Sequence, residues 1–410
     1  VRELLILCFA YAISLFYRGM ISVIAPEISA DLSLDETGLG LLSSSFFISF
    51  AIAQIPCGLA LDRFGSRLTI GLFMWLAVIG IALFSMAINV EMAFAGQVLI
   101  GIGCAPIFTG TMLFIGRRYS TTKFAYYTAL VIAIGGLGDL LGTTPLALLA
   151  EWLGWRYALL GPLLLTVLAS SFCLLGLKSE QRASEKQSFQ FMLKGMVSVT
   201  RVQGLWPIVP LFLSSYAVLM AIRGLWSGPY LFDIFTLDAG SRGNIILAMA
   251  ISMGIGTFML GLLDRFLQRT KWLVMASSIL MVIPLLILAV YPDIGANFSM
   301  WVFVVMGLFG FNYPLLMAHC RSFLATEYHG RGMALLTALA FAGIAIIQAS
   351  SGWMMQKSAE MGLVPAEQYQ YLFLFLAGVL GLACVVYGFS EPSGTEDHLK
   401  SSKIPSSGVR

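Results

Sequence analysis

The stretch Gly58-Leu59-Ala60-Leu61-Asp62-Arg63-Phe64-Gly65-Ser66-Arg67 is a short polar break between two long apolar runs, 37–61 and 68–89. Each run is long enough to cross a bilayer as a helix, which takes about 20 apolar residues. Working outward, further apolar runs separated by polar breaks lie near 4–26, 92–115, 124–150 and 157–177. A second set lies near 205–231, 243–263, 272–291, 298–319, 332–356 and 369–390. The pattern predicts an all-α membrane protein with twelve transmembrane helices. The break itself has a physical reading: Gly58 and Gly65 permit close helix approach and a tight turn, and Asp62 can pair with a cation or a helix end.

Composition supports the same class. Of 410 residues, 59% are hydrophobic and 11% charged, against about a quarter charged in a soluble domain that needs a wetted shell. The net charge of +3 comes with no long basic tract, so nucleic acid is not an expected partner. Cys8, Cys57, Cys104, Cys173, Cys320 and Cys384 fall in or beside apolar runs without metal spacing and read as small buried residues. His319, His329 and His398 form no His-Glu-x-x-His arrangement, and no phosphate-cradling Gly-x-x-x-x-Gly-Lys-Ser/Thr loop occurs. Neither an enzyme nor a resident cofactor is expected. Leu4 to Phe16 with Ala10-Tyr11-Ala12 imitates a cleavable leader, but apolar character continues to Pro26, so an uncleaved first span is expected.

Lys and Arg are distributed unevenly. With both termini cytoplasmic, the inner loops hold Arg63, Arg67, Arg117, Arg118, Lys178, Arg265, Arg269 and Arg321 among others, and the outer loops only Arg156, Arg242 and Lys357. That follows the positive-inside rule and requires an even number of spans. Glu27, Asp31, Asp35 and Glu36 mark the first outer loop as acidic. The chain is then a six-helix bundle over 1–177, a cytoplasmic linker over 178–204, a second bundle over 205–390 and a cytoplasmic tail over 391–410. The halves look like copies. Gly261-Leu262-Leu263-Asp264-Arg265-Phe266-Leu267-Gln268-Arg269 echoes the opening motif, and Cys320-Arg321-Ser322-Phe323 echoes Gly116-Arg117-Arg118-Tyr119. Duplicated halves of this kind build many secondary transporters, with the substrate site at the midplane between them.

The Gly-x-x-x-Asp-Arg-x-Gly-x-Arg loop, its weaker echo and the six-plus-six layout resemble the major facilitator superfamily over nearly the whole chain. The resemblance implies alternating access by two rocking bundles. It also implies a conformational latch at Gly58, Asp62, Arg63, Gly65 and Arg67, with Asp264 and Arg265 in the second half.

Three ionisable residues lie inside spans: Arg18 in the first, Asp139 in the fifth and Arg223 in the seventh. A charge at mid-membrane costs at least about 2.5–3.5 kcal/mol, so such residues face a cavity or a partner. Arg18 stands eight residues before Pro26, Arg223 six before Pro229, and each is followed by glycine. Pseudo-symmetry suggests two guanidiniums facing one chamber, able to hold a carboxylate or phosphate bidentately. The competing reading pairs each arginine structurally with a carboxylate or helix-end carbonyls. Asp139 is either a proton carrier or the counter-ion of Arg18.

At the level of branches, Arg18 with Pro26 resembles both the organophosphate:phosphate antiporters and the anion:cation symporters, and Arg223 resembles the former. The chain departs from the antiporters at Gln54, where they carry a lysine, and at Gly138–Asp139, where they carry a histidine. The run from Ser43 to Pro56 resembles the symporters, which keeps a small organic carboxylate as plausible as a phosphate ester. Tyr17, Trp226, Tyr230, Tyr313 and Gln348 are further candidates for substrate contact, and Asn312 for a hydrogen-bonding group. Trp152, Trp155, Trp206, Trp272 and Trp301 at span ends read as interface anchors. The expected partners are a small anionic substrate, protons or a counter-anion, and lipid. The working unit is expected to be a monomer, in a bacterial inner membrane. A proton-coupled drug or metabolite exporter of the same fold is the alternative; neutral Gln97, where drug antiporters carry an arginine, counts against it.

Overall fold

The computed structural model describes residues 2–119, 121–178, 202–324 and 329–392. Among these, eleven helical stretches are long and apolar enough to cross a membrane. The second of them, Glu36–Ser85, has 50 residues. A straight helix of that length would reach about 75 Å, more than twice a hydrocarbon core of about 30 Å. Its path breaks at Gly65, where φ is 76°, a conformation that a Cβ disfavours. The chain therefore crosses twice here, and twelve crossings result. The expected linker and tail, apart from their ends, lie outside the described residues.

Besides a short break at Leu159 in the sixth span, three spans are interrupted just ahead of a proline. The fifth runs as Thr121–Leu141 and Thr144–Leu153, with Pro145 opening the second piece. The tenth runs as Ala296–Gly310 and Tyr313–Ser322, with Pro314 in the same role. Proline lacks the amide proton that would continue the helical ladder. In the tenth span Asn312 fastens the gap: its amide donates to Ser277 Oγ (2.9 Å) and Ser278 Oγ (2.8 Å) and accepts from Ser215 Oγ (2.7 Å). That joins three spans and makes Asn312 helix-to-helix glue. The seventh span runs as Val209–Ala221, a π-helical turn over Ile222–Trp226 and Ser227–Phe235. Pro229 cannot donate to Leu225, and the amide of Ser227 reaches back to Ile222 O instead. Such π turns concentrate at functional positions.

The two halves meet through close backbone contacts. A Cβ at position 228 in the seventh span would overlap the carbonyl of Ser22 in the first. A Cβ on Gly40 in the second span would lie 2.9 Å from Gly352 Cα in the eleventh, and one on Gly243 in the eighth 2.8 Å from Thr144 Cα in the fifth. Ser22 and Ser227 hydroxyls are 2.8 Å apart, and Thr144 Oγ1 donates to Asn244 Oδ1 at 3.0 Å. These contacts lie from mid-span to the end away from the termini, so this far end is closed. Arg242, read above as a loop residue, is a correction: it is 2% exposed, pairs with Glu27 of the first span and stands 5.2 Å from the Phe232 ring.

Large apolar side chains such as Ile52, Phe258 and Leu382 are exposed, which suits a surface facing lipid. All six cysteines are buried. Trp152, Trp206, Trp272 and Trp301 are exposed at span ends, whereas Trp155 is buried against Phe84 and donates to Asp31 Oδ2 at 3.0 Å. Trp155 is therefore a packing residue and not an interface anchor, because its ring fills the far end of the first bundle.

Candidate functional site

The crossing of the first and seventh spans forms the site. Glycines let the two backbones touch. A Cβ on Gly19 would lie 3.4 Å from Arg223 Nη2 and 3.7 Å from Asp139 Oδ1, and one on Gly224 would lie 3.4 Å from Arg18 O. Each arginine thus sits beside the glycine that follows the other. The π turn carries Arg223, which is 2% exposed, and its Nη2 stands 2.7 Å from Asp139 Oδ1. The approach is off-axis, leaving Arg223 Nε and Nη2 without an aligned hydrogen bond. The counter-ion expected for Arg18 therefore belongs to Arg223, because Gly19 admits that guanidinium against the first span beside the fifth.

Arg18 is half-buried and, among the described residues, has no carboxylate within ion-pair distance. Its guanidinium lies 5.1 Å from the centroid of Phe50 and 5.0 Å from that of Phe341. Those rings belong to the second and eleventh spans and stand 4.3 Å apart. A cation over aromatic faces keeps its charge while losing water. The Tyr216 hydroxyl lies within reach of Arg18, and the charges of Arg18, Asp139 and Arg223 all act on it. Tyr11 feels Arg18 and Asp139 likewise. One neighbourhood thus holds two guanidiniums, one carboxylate and a ring of aromatic groups.

Gln348 belongs to this neighbourhood. It is fully buried, its Nε2 donates to Met220 O at 3.2 Å and lies 3.6 Å from a Cβ built on Gly224, and its Oε1 has no partner. Tyr313 adjoins it through Tyr216, with ring centroids 5.6 Å apart. The structure does not bring Tyr17 and Tyr230 to the arginines. Tyr17 Oη is 2.6 Å from Thr166 Oγ1 in the sixth span. Tyr230 Oη donates to Pro292 O at 2.6 Å within an aromatic cluster of the second half. Trp226 donates to Ser351 Oγ at 2.8 Å and lines a far-end cavity of about 210 Å³, beyond the crossing. Tyr11, Phe50, Tyr216 and Phe341 were not anticipated from sequence; aromatic residues are too frequent in this chain to single them out.

The residues expected to form a latch find partners within their own halves. Asp62 lies 4.0 Å from Arg117, Arg67 Nε donates to Leu174 O at 2.7 Å, and Asp264 accepts from Thr270 Oγ1 at 2.8 Å. Arg63 lies over the ring of its neighbour Phe64, and Arg265 occupies the last turn of the eighth span. Among the described residues no group of His, Cys, Asp and Glu could hold a metal ion.

A chain that folds into two six-helix bundles around a charged midplane crossing is a secondary transporter in architecture. The profile of the Major Facilitator Superfamily matches residues 7–269 and 195–408, and the chain belongs to that family of membrane transporters, which are not enzymes. Its fold is that of a bacterial homologue of the human lysosomal transporter Spinster, solved inward-facing and unoccupied. The two superpose with a TM-score of 0.78 over 98% of this chain and 97% of that one, at 15% identity.

Sequence relatives are more distant and partial. A probable L-galactonate transporter of Escherichia coli (strain K12) is 31% identical over 153 residues, 37% of this chain and 34% of that protein. A probable galactarate/D-glucarate transporter of Bacillus subtilis (strain 168) is 35% identical over 99 residues, 23% of this chain and 22% of that protein. The methylenomycin A resistance protein of the same Bacillus is 24% identical over 161 residues, 38% of this chain and 34% of that protein. The matched stretches span about a third or less of these relatives' lengths.

Proposed function

We propose that this chain moves a small organic anion, a carboxylate or phosphate ester, by alternating access, coupled to protons or a counter-anion. The bundles over 1–177 and 205–390 rock about the crossing of the first and seventh spans, joined by the 178–204 linker. One observation carries the reading: Arg18 is a half-buried cation at mid-span, with rings beside it and, among the described residues, no carboxylate within ion-pair distance. A guest anion supplies the missing charge; Arg223 and Tyr216 can donate to it, and Gln348 Oε1 can accept from a hydroxyl of the guest. The sugar-acid relatives favour a carboxylate over a phosphate ester. Positive-inside bias and bacterial relatives support a bacterial plasma membrane with both termini in the cytoplasm.

The exporter reading has the methylenomycin resistance relative in its favour. The site opposes it, because a lipophilic cation needs a free carboxylate and Asp139 is committed to Arg223. The test is uptake of radiolabelled D-galactonate into proteoliposomes. Arg18→Ala and Arg223→Ala each abolish uptake per molecule of reconstituted protein; full uptake by either variant removes the proposal.

A further inference from the structure

We infer that the site is built for a guest bearing a single negative charge, with Asp139 setting that valence. The inference rests on the organic-anion reading above and narrows it. It comes from a charge count at the crossing. Two guanidiniums, Arg18 and Arg223, share the neighbourhood, and one carboxylate, Asp139, stands 2.7 Å from Arg223. Among the described residues no other acidic group lies within ion-pair distance of either arginine. The remaining groups around Arg18 are neutral: the rings of Phe50 and Phe341, the hydroxyl of Tyr216 and the amide of Gln348.

The count is independent of pairing. A guest carboxylate can sit on Arg18, or displace Asp139 from Arg223 and leave Asp139 to Arg18. In both arrangements two cations meet one fixed anion and one guest anion, and the neighbourhood is neutral. A second carboxylate on the guest finds only rings and neutral groups, and burying it unpaired is penalised. The penalty corresponds to a loss of affinity on the order of tenfold or more. The relatives include carriers named for one-carboxylate and for two-carboxylate sugar acids, so kinship leaves the valence open and the charge count decides it.

D-gluconate and D-glucarate test this directly, since both have six carbons and differ by one carboxylate. Binding to the purified wild-type protein is measured at neutral pH by radioligand competition and by thermal shift, because a ligand of the folded state raises its apparent stability. D-gluconate binds at least roughly tenfold more tightly than D-glucarate. Asp139→Asn, which leaves two cations and no fixed anion, moves the ratio toward D-glucarate by a similar factor, and Asp139→Glu keeps the wild-type preference. Equal binding of the two acids by the wild type overturns the inference and leaves the organic-anion reading standing. An unchanged ratio in a folded Asp139→Asn protein overturns it as well. Failure of both acids to bind removes the parent reading together with the inference. The wild-type ratio alone decides the matter should Asp139→Asn not fold.

Discussion

Arg223 and Asp139 illustrate how a charge survives at mid-membrane: the arginine is 2% exposed and its carboxylate partner 13%. Breaking a buried pair by removing one member costs about 3–5 kcal/mol, because the other charge stays behind unpaired. Arg223→Ala therefore lowers the unfolding midpoint of the detergent-purified protein. Adding Asp139→Ala to that variant recovers most of the loss, since no orphan charge remains. A double variant no more stable than the single one would show that the pair is not desolvated. Both arginines and the aspartate were legible in sequence, because an ionisable residue inside an apolar run is conspicuous. Their pairing was not. The sequence reading left Asp139 as either a proton carrier or the counter-ion of Arg18, and nothing in the order of residues reports that Gly19 leaves room for Arg223. Tyr17 and Tyr230 flank the arginines in sequence, yet their hydroxyls are satisfied inside their own bundles.

The spans themselves were readable because length and apolarity are imposed by the bilayer. What periodicity could not show was where helices stop being regular. Pro145, Pro314 and Pro229 each announce a disturbance, but not its kind: two give breaks and the third a π turn. Immediately before Pro229, Gly228 lets the seventh span lie on the carbonyl of Ser22. Gly228→Ala forces these backbones apart, and the adjustment is costly because it falls on main chain rather than on a flexible side chain. The expected outcome is a far end that no longer closes. A cysteine introduced at Gln368, which lines the far-end cavity, then reacts faster with a membrane-impermeant maleimide in the Gly228→Ala background than in wild type. Equal labelling rates would mean that the contact does not govern closure.

At the scale of the molecule, duplication with a polar link was visible in the paired motifs, and the twelve crossings follow from it. The state of the two ends was not visible, since the far-end closure depends on Gly40 meeting Gly352 and Arg242 meeting Glu27, pairs separated by hundreds of residues or by the whole linker. The aromatic setting of Arg18 has a consequence for energetics in a living membrane. Under the single-charge reading, and with no proton carried alongside the anion, a carrier whose vacant chamber holds one unbalanced cation, and whose occupied chamber is neutral, feels the transmembrane voltage only on the empty half of its cycle. A full elementary charge crossing 100 mV is worth about 2.3 kcal/mol, and a midplane charge samples part of that. A negative interior retards the outward return of the vacant site, so net uptake of D-gluconate falls as a potassium diffusion potential is made more negative inside. One-for-one exchange with the same acid on both sides, which never passes through the vacant form, proceeds at the same rate at every voltage.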